Sequence, residues 1–319
     1  MQNNKKLKLF KNAYCDAIGL ALSEFMDIRK DIDENDLQSL LNYDDIEKIC
    51  EYAIVKNKLA GVGEIFLKVP KPSIAGKYFE KYSLCGREIL SARLIECLSA
   101  KDLVGGRLII EVESLLEYNE DYLSKIIDFC ASTDTPLIVK MGQSLEEVGK
   151  VVNKFNASPA EVLEDYGFLD RQCYIYGLNF LDKDDQKLLK RYNPTLILSP
   201  RDDGECGRGA INLYNFIFND LKFVFSSGKC YNIDMFLEGK LALLNTANLM
   251  YERGLVDCEI VLNALQSGEG ELNLEIEDDC LKETILDKKV FTKDDQLKTR
   301  FGNLREEIKE IARRIKEKI

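Results

Sequence analysis

The sequence predicts an α/β fold: a (β/α)8 TIM-like barrel with a small C-terminal β appendage and a closing helix. Three observations predict it. Short β-rich runs alternate with stretches of helical periodicity, the runs number eight before residue 265, and the pattern changes after Leu265. Alternation of this kind places a parallel sheet inside a layer of helices. A doubly wound open sheet uses the same alternation and is the structural competitor.

The eight strand candidates are Leu7 to Tyr14, Gly63 to Val69, Glu88 to Leu94, Arg107 to Glu113, Pro136 to Met141, Cys173 to Leu178, Thr195 to Ser199 and Lys222 to Ser227. Between them, apolar residues recur at three-and-four spacing, as in Ile46, Ile49, Ala53 and Ile54, or Leu145, Val148, Val151, Val152 and Phe155, which is the signature of a helix with one buried face. Asp182 caps the helix expected over Lys183 to Arg191. Ser158 followed by Pro159 opens another, because proline suits the first helical turn. The barrel is expected over 7–265. Beyond it, a glycine-containing turn at Gly268 to Gly270, strand-like pieces at Leu272 to Ile276 and Thr284 to Val290, and a charged helix from about Asn303 make 266–319 an appendage too small to bury a core of its own.

Composition narrows the function classes. A net charge of −11 repels polyanions, and no basic stripe with interleaved aromatics offsets it, so no nucleic-acid partner is expected. The apolar runs, such as Leu108 to Ile110 and Leu137 to Val139, fall far short of the roughly 20 residues of a membrane helix, so no membrane partner is expected. Met1 to Phe10 is basic but lacks the apolar core of a secretory signal. Ten cysteines lie singly with no CxxC pair, as small hydrophobes of a reduced cytoplasmic protein rather than as zinc ligands. The glycine-rich Gly204 to Gly209 lacks a phosphate-loop pattern and reads as a flexible loop, and Asp202 and Asp203 read as a solvated turn. Arg201 and Arg208 beside them are candidates to meet an anion.

Five segments carry a resemblance. Asn12 to Ala17 (NAYCDA) resembles the Asn-Ala-His-x-His-Ala motif that opens the barrel of the amidohydrolase superfamily, in its aminohydrolase or deaminase branch. Pro136 to Ser144 is similar to the fifth-strand segment with His-x-x-Glu, and Lys140 and Gln143 stand at those two places. Tyr176 to Asp182 resembles the sixth-strand Ala-His-Cys-x-His-Leu-Thr motif, with Gly177 in place of the ligand histidine. Ser199, Pro200 and Arg201 are similar to the Cys-Pro-Arg turn after strand seven. Val224 to Gly228 with Asn232 to Phe236 resembles the eighth-strand Leu-Gly-Thr-Asp-Gly motif and its Leu-Asp-Met-Phe continuation, with Ser227 in place of the aspartate. The resemblance also covers Ile285 to Lys318, as the last strands and closing helix of a reduced flanking β-sandwich.

The resemblance implies a metal hydrolase in which zinc or iron, held by imidazoles and a carboxylate, activates water for attack on a carbon–nitrogen centre. This chain contains no histidine. With Tyr14, Asp16, Lys140, Gly177 and Ser227 at the motif positions, the expectation is a catalytically degenerate relative with no metal and no cofactor, serving in binding, regulation or assembly. Tyr14, Asp16, Lys140, Gln143, Gly177, Arg201 and Ser227 are expected to line its vestigial pocket. A small purine-like ligand or a protein partner is implied by the resemblance, as is a homodimer. The opposite signs of Asp16 and Lys140 predict an ion pair between the ends of strands one and five. Two alternatives stay open: a metal-independent enzyme with Lys140 as Schiff-base nucleophile and Tyr14 and Asp16 as proton-transfer partners, and residual carbon–nitrogen hydrolysis.

Overall fold

Strands neighbour one another in chain order, and that order decides between the two candidate architectures. The computed structural model describes residues 5–26, 34–99, 102–103, 106–230, 232–276 and 294–318. In it the sheet runs β8-β7-β6-β5-β4-β3-β2-β1-β9. A doubly wound sheet reverses its strand order at a switch point, and no reversal occurs here. Eight parallel strands with helices between them make a (β/α)8 barrel, and a ninth strand pairs antiparallel to the first.

The elements follow in order. β1 (Lys5–Asp16) leads through α1 (Ala17–Leu22), α2 (Glu34–Ser39) and α3 (Tyr43–Leu59) to β2 (Val62–Lys68). After α4 (Gly76–Lys81) come β3 (Cys85–Ser91), β4 (Leu108–Val112), α5 (Glu120–Thr133) and β5 (Leu137–Met141). α6 (Leu145–Phe155) and α7 (Pro159–Asp165) precede β6 (Cys173–Gly177), α8 (Lys183–Tyr192) and β7 (Thr195–Leu198). α9 (Pro200–Glu205), α10 (Leu213–Phe218), β8 (Phe223–Phe225), α11 (Met235–Met250), α12 (Cys258–Leu265), β9 (Gln266–Ile276) and α13 (Asp295–Lys316) complete the chain.

Local chemistry sets most of the boundaries. α7 starts at a reciprocal capping box between Ser158 and Glu161, with Pro159 in its first turn. α8 starts where the Asp182 carboxylate accepts from the N–H groups of Asp184 and Asp185, and its lysine and arginine at the far end suit the helix dipole. β3 lies earlier than Glu88 to Leu94, because the Ser91 hydroxyl accepts from the Arg93 N–H and turns the chain into a short 3-10 helix over Ala92–Cys97. Gly268 to Gly270 lie within β9 instead of forming a turn, since pairing with β1 absorbs them through register shifts. The strand expected at Thr284 to Val290 lies outside the described residues.

The chain gathers into two compact units. The first comprises Met1–Glu88, Ser227–Leu237 and Leu265–Ile319. Its core includes Phe10, Leu20, Ile65 and Phe79, with Phe10 edge-on to Phe236 at a centroid distance of 4.9 Å. Cys15 and Gly228 form a parallel bridge, in which the Asp16 N–H donates to the Gly228 carbonyl and the Gly228 N–H to that of Tyr14. α13 presents Leu297, Leu304, Ile308, Ile311 and Ile315, a stripe at helical spacing, all buried. It meets α3 through stacked Tyr52 and Phe301 rings and through ion pairs that join Arg300 to Glu51 and Arg314 to Asp45. The second unit comprises Ile89–Ser226 and Glu238–Ala264, with Ile109, Val139, Ile175, Leu196, Phe225 and Val261 inside it.

Glu51 anchors the α13 contact. Its side chain is 4% exposed, and it takes Lys81, Tyr82 and Arg300 as donors. Those partners outweigh burial and hold its carboxyl down at about 2. A depressed carboxylate adds stability above its unfolded pKa and loses it as pH falls through the folded value. The expected result is that the Glu51→Gln variant lacks the loss of stability that the parent shows from about pH 4.5 to about 2. Glu51→Ala is expected to cost about 2 kcal/mol at neutral pH in urea unfolding, the scale of a buried ionic hydrogen-bond partner removed.

Candidate functional site

In the first unit, the end of β1 brings three of the expected residues to one place. Tyr14 and Ser227 are fully buried and Asp16 nearly so. Asn12 joins β1 to Ser227, because its Nδ2 donates to the Ser227 hydroxyl at 2.8 Å and to the Asn57 carboxamide oxygen at 2.9 Å, while its Oδ1 accepts from the Ser227 N–H at 3.0 Å. The Asp16 carboxylate caps α1 through the Gly19 N–H at 2.9 Å and lies 3.7 Å from the Lys229 ammonium. Cys15 beside it is buried, and burial pushes its thiol up to about 12, so it behaves as a small hydrophobe and not as a thiolate.

In the second unit the inward-directed charges form a chain of contacts. Glu111 on β4 stands opposite Ile138 in register, and Lys140 on β5 stands opposite Tyr176 on β6. With a side-chain period of two, Glu111, Lys140 and Tyr176 share one face of the sheet. The Lys140 ammonium lies 3.7 Å from the Glu111 carboxylate and 5.6 Å from the centre of the Tyr176 ring. The Tyr176 hydroxyl donates to Asp202 at 2.7 Å, and Arg208 joins Asp202 to Asp203, with 3.0 Å from its Nε to the Asp203 carboxylate. Arg201 pairs with the buried Glu238 at 3.1 Å.

Several expectations change at this point. Asp16 and Lys140 each have a different partner from the one that their opposite signs predicted: Lys229 for the first and Glu111 for the second. Asp202 and Asp203 are not a solvated turn. They are 1% and 2% exposed, because Pro200 starts α9 there and Arg208 neutralises both. Gly204 and Glu205 complete that helix, so only the rest of the glycine-rich stretch is loop. Arg201 and Arg208, suggested for an anion, each hold a carboxylate of the chain itself. Glu111, Tyr176 and Asn12 went unselected in the sequence, although a glutamate inside the apolar run Leu108–Val112 is a signal that a buried partner exists.

Gly177 and Gln143 meet directly. Gly177 has φ +111°, and a Cβ built on it would stand 2.5 Å from the Met141 carbonyl oxygen and 2.8 Å from the Gln143 Cγ. The Leu178 N–H bonds to that same Met141 carbonyl at 2.9 Å, so the backbone cannot yield without breaking the strand end. Only glycine fits this conformation unstrained. Among the described residues, no group of three or more Cys, Asp or Glu side chains is gathered where it could hold a metal. No helix among them is long and apolar enough to cross a membrane.

Comparison with known proteins gives the fold a context. The chain has the fold of deaminases of the amidohydrolase superfamily. It superposes on a zinc-bound adenosine deaminase from Xanthomonas campestris with a TM-score of 0.79 and 10% identity, over 97% of this chain and 87% of that one. In sequence it is 26% identical over 157 residues to a 5-methylthioadenosine/S-adenosylhomocysteine deaminase of Thermococcus kodakarensis, covering 48% of this chain and 37% of that protein. A protein of the same description from Caldicellulosiruptor saccharolyticus is 22% identical over 97 residues, covering 30% of this chain and 23% of its own length. The matched stretches thus span about a quarter and about a third of those relatives. No protein-family model matches the chain.

Two measurements check the geometry. Gly177→Ala is expected to destabilise the protein by at least about 2 kcal/mol in urea unfolding, and Gly177→His by more, because each forces a side chain into a forbidden backbone state against a carbonyl. Asp203 supplies the other. Burial raises its carboxyl to about 6 despite Arg208. The folded chain therefore keeps a proton that the unfolded chain releases, and stability falls as pH rises from about 4 to about 6. Asp203→Asn removes that slope, so the parent is expected to lose stability relative to the variant across this window.

Proposed function

We propose that this chain is a catalytically degenerate relative of the amidohydrolase-superfamily deaminases, one that binds a purine-like small molecule without metal-dependent hydrolysis. The observation that carries the reading is Gly177. At the place where the resemblance puts a ligand histidine, the backbone excludes any side chain.

The other motif positions support it. A transition-metal site needs at least three nitrogen, sulfur or carboxylate donors around one point. Tyr14 offers a buried phenol, the Ser227 hydroxyl accepts from Asn12, and the Asp16 carboxylate caps a helix beside a lysine. Lys140 brings a cation that repels another and is already compensated by Glu111. These residues do not fit zinc or iron. The relatives' printed names, which refer to adenosine and methylthioadenosine, point to a purine nucleoside as the ligand class. The cysteines fit a reducing cytoplasm, since the nine described ones are all free and burial pushes Cys15, Cys130 and Cys173 up to about 12. A homodimer, or a complex with an active paralogue, belongs to the same proposal.

The expected outcome for the purified protein is sub-stoichiometric zinc and iron by elemental analysis, no ammonia from adenosine, guanine or methylthioadenosine, and saturable heat of adenosine binding in calorimetry. Stoichiometric metal together with ammonia release would return the chain to the hydrolases. A borohydride-trapped carbonyl adduct on Lys140 would move it to the metal-independent enzymes.

A further inference from the structure

Within the second unit, α11 packs one side inward and turns another apolar side outward. Glu238, Ala242 and Thr246 are buried, and the Thr246 hydroxyl accepts from the Leu213 N–H at 2.8 Å. Opposite them, Leu241, Leu244, Ala247 and Asn248 recur at three-and-four spacing, with Tyr251 directly after the last turn, and all five are half-buried or exposed. Leu244 is 50% exposed and Tyr251 95%. Tyr251 also stands at φ +55°, in the left-handed region that favours glycine, so the backbone is strained at the residue that holds an aromatic ring in water. A helix apolar on opposite sides is at home where both are covered.

Charge indicates what covers the outer side. The eleven residues Leu241 to Tyr251 carry no charge, in a chain that is 31% charged. Lys240 precedes them, and Glu252, with Arg253 beyond it, follows. Each copy of the chain has a net charge of −11 and repels its like. A two-fold contact between copies therefore needs a face without charge at its centre and self-complementary at its ends. This face is both. Two α11 helices laid antiparallel and level at Thr246 set Lys240 of each copy against Glu252 of the other, and Leu241 against Tyr251.

We propose that the outer face of α11, with Tyr251 at its end, is an interface with a second copy of this chain, the two helices running antiparallel. This interface rests on the homodimer of the reading above and not on its missing metal, so metal content and ammonia release do not bear on it.

Sedimentation velocity of the full chain at micromolar concentration is expected to give the mass of two chains. Leu244→Glu is expected to weaken association at least about thirtyfold with an unchanged thermal melt. Tyr251→Gly relieves the backbone, so it is expected to melt no lower than the parent while associating about tenfold more weakly. Lys240→Glu and Glu252→Lys are each expected to weaken the dimer about tenfold, and the double exchange to restore it. A parent chain that stays monomeric would leave the face to a different partner and overturn the proposal, as would dimers undisturbed by Leu244→Glu or a double exchange that restores nothing.

Discussion

Buried charge has to be neutralised locally, and this requirement organises both units. An ammonium or carboxylate moved out of water loses several kcal/mol of hydration, and only a partner at contact distance restores it. Lys140 therefore stands against Glu111, Arg208 against Asp202 and Asp203, Arg201 against Glu238, and Asp16 against Lys229. Each partner comes from the same unit.

Such pairs make each member depend on the other. Removing one member leaves an uncompensated charge in a dry interior, which costs more than the pair itself contributes. Once lysine occupies position 140, Glu111 is required. Once Asp202 and Asp203 are buried by α9, Arg208 is required in turn. Asp203 marks where compensation is incomplete, for burial raises its proton affinity despite Arg208, and the neighbouring Asp202 charge adds to the rise. The same principle holds α13 to α3, where Glu51 and Asp45 are each almost fully buried and each engaged by an arginine of the last helix.

Gly177 works by a different constraint, one of shape. The chain leaves β6 through a backbone state open to glycine, with Gln143 filling the volume that a side chain would need. Electrostatics could be rewired by a few exchanges, whereas this turn would need the ends of β5 and β6 to be rebuilt. The lack of a side chain at this position is thus lodged in the main chain.

Fold class and the starts of α7 and α8 were legible in the residues themselves, because they follow from short-range chemistry: alternation of period two and period 3.6, Ser158 with Pro159, Asp182 before its helix. Three of the motif positions lie close in space, since Asn12 bonds Ser227 and the backbones of Tyr14 and Asp16 bond Gly228 beside it. What the sequence did not disclose was who pairs with whom. Asp16 and Lys140 have opposite signs, yet their partners are Lys229 and Glu111, and Asp202 and Asp203 look like a surface turn until Arg208 and α9 enclose them. Helical and strand periods are properties of a few consecutive residues. Ion pairing and burial depend on distances between segments far apart in the chain, and only the tertiary structure sets those.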